Sequence, residues 1–135
     1  MFKKIHVFRI KPGQELLKGI MHYCDRACIS SGIILGIIGS LENATLNFLE
    51  ALPGKYSSVD FNGPLEIVSA QGSIAVKDDM PVCHIHIQLS TKDTCCGGHL
   101  ARAKVFSTSE VTIGELDYQL KRQLDNFTGL NELVD

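Results

Sequence analysis

From Val82 to Leu89 the chain alternates, with apolar Ile85, Ile87 and Leu89 set between polar His84, His86 and Gln88. A period of two is the pattern of a strand with one buried face, and no other segment constrains the fold as tightly. Side chains two apart on a strand project to the same side, so His84 and His86 share a face. Thr91-Lys92-Asp93-Thr94 then reads as a polar turn, and Gly97-Gly98 gives the returning backbone latitude. With Lys92 and Asp93 at the turn centre, His86 faces His99 and His84 faces Ala101, and directly opposed residues of an antiparallel pair share a face. Three imidazoles then converge on one patch of sheet.

Two readings stay open at this point. Imidazole is the commonest metal ligand, and the three rings form a metal-site geometry. Equally, histidines on a half-exposed strand are often only polar residues. A bulge at Gly97-Gly98 would also send His99 to the other face.

The rest of the chain supplies a frame for such a hairpin. Lys3 to Ile10 reads as a strand, with His6, Phe8 and Ile10 on one side, stopped by Lys11-Pro12-Gly13. A helix is predicted from about Gly13 to Ser31, with Leu16, Leu17, Ile20, Cys24, Ala27 and Cys28 as its apolar stripe and Glu15 in its first turn. His22, opposite that stripe, reads as a surface residue. Gly32 to Ser40 is nearly continuous in apolar and β-branched residues, as in a strand buried on both faces, and Ala44 to Leu49 resumes after a bulge or turn. Glu50 to Asn62 shifts to Pro, Gly, Ser, Tyr and charge, and is expected to be an exposed, mobile loop. Gly63–Val76 reads as another strand, or two with a kink at Gly72, and Ala101–Ile113 as a further one. Lys77–Pro81 turns the chain between the first of these and the histidine strand. The tail, from Gly114, carries a weakly amphipathic stretch (Leu116–Leu124) and a turn at Thr128-Gly129.

One helix and six or seven strands on short connections describe a single α+β domain over residues 1–135, a mainly antiparallel sheet with the helix packed on it. Several strands look apolar on both faces, more than one helix covers. The surplus points to a second copy of the chain packed through the sheet.

Five cysteines, Cys24, Cys28, Cys83, Cys95 and Cys96, form no disulfide-scaffold pattern, which favours a reducing compartment. Cys24 and Cys28 are read as small buried apolar residues. Of Cys95 and Cys96, adjacent on a strand, at most one faces His99. Phe2-Lys3-Lys4 is too brief for a signal peptide, and Ile33–Ile38 is too short to span a bilayer, so a cytoplasmic setting is expected. The formal charge of −2 gives no bulk attraction to nucleic acid or anionic membrane.

Taken in order, Arg9–Leu17, Gly36–Leu41 with Ala44-Thr45-Leu46, Leu65–Ser69, the His84/His86 strand and Gly97-Gly98-His99-Leu100 resemble one family, the "plants and prokaryotes conserved" (PPC) domain. The pairing of His-x-His with Gly-Gly-His-Leu is the specific part. The resemblance implies a compact α+β subunit that assembles as a homotrimer. It implies that His84, His86 and His99 hold a metal, zinc by the chemistry of such ligands. It also implies a DNA-associated role, because in plants the domain follows AT-hooks in nuclear proteins. This chain has no Arg-Gly-Arg hook and no basic arm; Arg102, Lys104, Lys121 and Arg122 are scattered among acids and read as a solvated surface. Cys95 and Cys96 occupy positions that are small and apolar in the family.

Two classes of function follow. In the first, a non-enzymatic trimer binds metal or a small ligand and works through partners, DNA among them. In the second, three neutral histidines leave one tetrahedral position open, as in catalytic zinc sites, for a zinc-dependent enzyme acting on a small molecule. Glu66 and Glu110 are then the candidate proton-transfer acids.

Overall fold

A computed structural model describes residues 1–134. Five strands carry it: β1 (Phe2–Ile10), β2 (Gly32–Ala51), β3 (Lys55–Lys77), β4 (Met80–Ser90) and β5 (Cys95–Leu116). One helix, α1 (Leu16–Arg26), and a terminal hairpin of β6 (Arg122–Leu124) and β7 (Asn131–Leu133) complete it. The ladders of the main sheet are antiparallel, in the order β1-β5-β2-β3-β4. β4 pairs in addition with the start of β5, so β5, β2, β3 and β4 close on themselves, with β1 along the edge. This is the expected α+β architecture, mainly antiparallel with one main helix.

The helix is shorter at both ends than its apolar stripe predicts. Gly13 has φ +81° and donates its N–H to the Val105 carbonyl, which holds residues 11–14 in a turn. Glu15 is therefore the N-cap rather than a first-turn residue. Its Oε2 accepts from the Lys18 N–H (2.6 Å), and its Oε1 accepts from the Ala103 N–H (3.0 Å), tying α1 to β5. At the other end Cys28 takes φ 56°, with Cys28 N–H donating to Asp25 and Ile29 N–H to Cys24. That pair of bonds is a Schellman stop, here with cysteine where glycine is usual. Cys24 is buried as expected, but Cys28 is exposed, because the stop turns it out of the helix stripe.

A larger correction concerns residues 50–62. β2 runs on to Ala51 and β3 starts at Lys55, so Thr45–Leu49 pair with Tyr56–Asp60 and only a short turn remains. The polar side chains there bond across the ladder instead of lining a loop. Thr45 donates to Asp60, and Ser58 donates to Asn47. Register shifts near Leu41 bend β2 without ending it.

The core fixes which way β4 faces. Leu16, Ile20 and Cys24 of α1 are buried in one cluster with Ile85, Ile87 and Leu89 of β4 and Val105, Val111 and Ile113 of β5. Burying each large aliphatic side chain contributes roughly 1.5–3 kcal/mol relative to exposing it. A one-residue slip of β4 would forfeit three such contributions and drive His84 and His86 inward. The histidines are outside because the isoleucines are inside.

Candidate metal centre

The hairpin between β4 and β5 sets the site. Thr91 N–H donates to the Thr94 carbonyl, and Thr94 N–H to Thr91 Oγ1, which centres the turn on Lys92-Asp93. The ladder then runs unbroken from Ser90 opposite Cys95 to His86 opposite His99, so Gly97-Gly98 introduces no slip. The further expectation, His84 opposite Ala101, is not met. Beyond His99, β5 continues along β2, with Leu100 opposite Leu46, and His84 instead faces Ser73 of β3. His84 reaches the cluster through the strand period alone.

Ring centroids lie 4.8 Å apart for His84 and His99, 5.1 Å for His84 and His86, and 5.6 Å for His86 and His99. One ligating nitrogen from each ring falls within 4.8 Å of the others. A Cβ at Gly72 would collide with the His84 carbonyl oxygen, so this glycine lets β3 approach β4 directly behind the site.

Burial, then the neighbouring His99, Arg122 and His86, pull the His84 pKa down to about 4. Burial, with His86 and Arg122, also lowers that of His99. Both rings are therefore neutral at pH 7 with lone pairs free, the form a metal requires. Three imidazoles with no carboxylate or thiolate in the group suit a borderline ion such as zinc.

A cavity of about 410 Å³ opens beside His84 and His99, lined also by Asn47, Tyr56, Arg122 and Glu132. None of these four was singled out by sequence as part of the site. They come from β2, β3 and the terminal hairpin, and no local spacing links them to the histidines. Arg122, read as a solvated cation, is half-buried, with Nη2 donating to Ser73 Oγ and Nη1 to the Asn131 carbonyl, both at 2.9 Å. Glu66 lies opposite Ser90 and lines a different groove, with Asn62–Pro64 and Ser90–Asp93. Glu110 is exposed and lies between Arg9 and Ile38 of the flanking strands. Cys95 is exposed, and Cys96 packs against the core.

Comparison with known proteins places this geometry. A metal-containing protein from Archaeoglobus fulgidus superposes with a TM-score of 0.91 at 27% identity, over 100% of this chain and 96% of that one. A proposed DNA-binding protein from Bacteroides thetaiotaomicron gives 0.90 at 25% identity, over 99% and 96%. The bifunctional protein GlmU of Synechococcus sp. strain JA-3-3Ab is 27% identical over 135 residues; these are 96% of this chain but only 20% of GlmU. The sequence model of the Plants and Prokaryotes Conserved domain, abbreviated PCC or PPC, matches residues 1–117, and those residues include all three histidines, so the chain belongs to that family.

Proposed function

We propose that this chain is a metal-binding PPC module, homotrimeric, in which His84, His86 and His99 hold zinc in a binding or regulatory role. The observation that carries the reading is the convergence of three ring nitrogens within 4.8 Å on one face. The A. fulgidus relative, metal-containing by name and alike over the whole chain, supports it. The Bacteroides relative supports a DNA-associated role. The scatter of Arg102, Lys104, Lys121 and Arg122 among acids favours a role through partner proteins over direct duplex contact. The free cysteines support a reducing, cytoplasmic setting. No described helix is long and apolar enough to cross a membrane.

Elemental analysis after purification without chelators tests the premise, with about one zinc per chain expected. His84→Ala, His86→Ala and His99→Ala should each lower bound zinc sharply, whereas exposed His22→Ala should not. Repeated absence of any transition metal, with no uptake on titration, would overturn the reading.

The cavity beside His84 and His99 favours a second reading, a zinc-dependent enzyme acting on a small molecule. Zinc, when bound, supplies Lewis acidity. In that case Glu132, which lines the cavity, is better placed to carry a proton than Glu66 or Glu110. The two readings separate on the histidine variants. A structural zinc makes them lower the melting temperature, and a catalytic one makes them lose turnover with the fold largely kept.

A further inference from the structure

We propose that the cavity between the histidine cluster and the β6–β7 hairpin binds a small carboxylate, with Arg122 as the residue that recognises it. The inference deepens the metal reading by naming the class of ligand that would share the site.

Arg122 sits on β6, beyond the residues matched by the family model, and reaches back over the sheet. The tail is pinned there by its backbone. Val76 N–H donates to the Leu120 carbonyl, and Val134 N–H to the Lys121 carbonyl. Ser73 Oγ and the Asn131 carbonyl hold the two terminal nitrogens of Arg122, which fixes the plane of the guanidinium. Ser73 lies directly opposite His84, so that plane is held beside the cluster.

What these bonds leave over is informative. Arg122 Nε is buried and has no hydrogen-bond partner, and among the described residues no carboxylate pairs with the guanidinium. An unmade hydrogen bond on a buried cationic group is costly. Adding a divalent ion to the three histidines raises that cost, since two like charges then face one cavity. An anion between them offsets that repulsion. Beyond the bonds to Asn131 and Ser73, each terminal nitrogen of Arg122 keeps a second N–H, and the planar group's fixed donors match the two oxygens of a planar carboxylate.

The other charges on the cavity are Lys77, bonded to Asp78, and Glu132. Glu132 opposes an anion, which sets a limit on the ligand's charge and provides a test. The volume, about 410 Å³, is at the small end of ligand pockets and suits a small molecule.

The test uses the full chain, ¹⁵N-labelled, with zinc content measured first. Lactate, its neutral analogue lactamide, and inorganic phosphate are titrated separately while the Arg122 Nε–H resonance is followed. Lactate should move that signal saturably, lactamide should not, and phosphate should bind more weakly. Arg122→Gln should weaken lactate binding at least about tenfold, the loss expected for a charged hydrogen bond. Because that change could loosen the tail, Glu132→Gln is the second variant. It keeps the arginine and should tighten lactate binding severalfold. No saturable shift in zinc-loaded protein, or equal responses to lactate and lactamide, overturns the carboxylate site and leaves the metal reading standing. Preference for phosphate overturns the carboxylate class. A lactate shift in protein that takes up no metal supports the anion site and overturns the metal reading instead.

Discussion

His6, which the alternation of β1 sets on one side with Phe8 and Ile10, has partners that no spacing argument reaches. It is buried on β1, with Nε2 3.0 Å from Glu115 Oε2 and Nδ1 3.1 Å from the Tyr23 hydroxyl. The other carboxylate oxygen of Glu115 accepts from Lys3 Nζ at 2.8 Å. The Lys3 hydrogen bond, then that of His6, hold the Glu115 carboxyl below its ordinary value of 4.5. A depressed carboxylate pKa stabilises the fold fully above the unfolded value, and that stability is lost as pH falls through the folded one. We expect the melting temperature of wild type to drop below about pH 4.5 more steeply than that of Glu115→Gln, with the two curves converging in acid. A thermal melt series from pH 3 to 7 checks this, and parallel curves would remove Glu115 from the acid limb. At this scale the three clustered histidines were legible, two from the strand period and the third from the hairpin register. Arg122, Tyr56 and His6 were not, since each depends on partners from 17 to more than a hundred residues away or on the tail's return across the sheet.

At the scale of elements, two local rules were overridden by neighbours. The apolar stripe of α1 extends through Cys28, yet the Schellman bonds stop the helix two residues earlier and leave Cys28 left-handed and exposed. A non-glycine residue there carries a steric cost that glycine lacks. Cys28→Gly should therefore stabilise the protein by up to about 1 kcal/mol, read as a higher urea midpoint with unchanged slope. The opposite sign is expected at Gly72. An alanine Cβ there meets the His84 carbonyl, so β4 must shift. Gly72→Ala should cost roughly 1–3 kcal/mol and weaken zinc uptake together, the second effect distinguishing a displaced site from a merely softened core. The misread loop at 50–62 has the same origin as these. A ribbon with one exposed side draws on Ser, Asn and Asp as a loop does, and only the pairing partner tells them apart.

At the scale of the whole molecule, one face is left unfinished. Across β1, β5 and β2, Val7 lies opposite Thr112 and Thr112 opposite Gly36; Arg9, Glu110 and Ile38 form the next row. Val7 and Ile38 are 69% and 72% exposed, with Ile5 and Leu35 exposed beside them. The row through Ile5, Gly114, Ile33, Ser73 and His84 runs along directly opposed residues, so this apolar face and the histidine cluster lie on the same side of the sheet. Isolated exposed aliphatics are ordinary, but a group on β1 and β2, the two strands that flank β5, points to a contact surface. A closed assembly would cover it on every copy at once. Light scattering at micromolar concentration should give about three times 14.8 kDa. Val7→Glu with Ile38→Glu should reduce that to one chain, because two like charges, with Glu110 between their strands, would be buried together at the contact. A wild-type monomer would leave the face without a use and remove the trimer. The separated chains carry a second reading. If they still take up zinc with wild-type affinity, the three histidines of one chain suffice. If uptake falls while the melting temperature of the metal-free protein holds, a neighbouring copy completes the site.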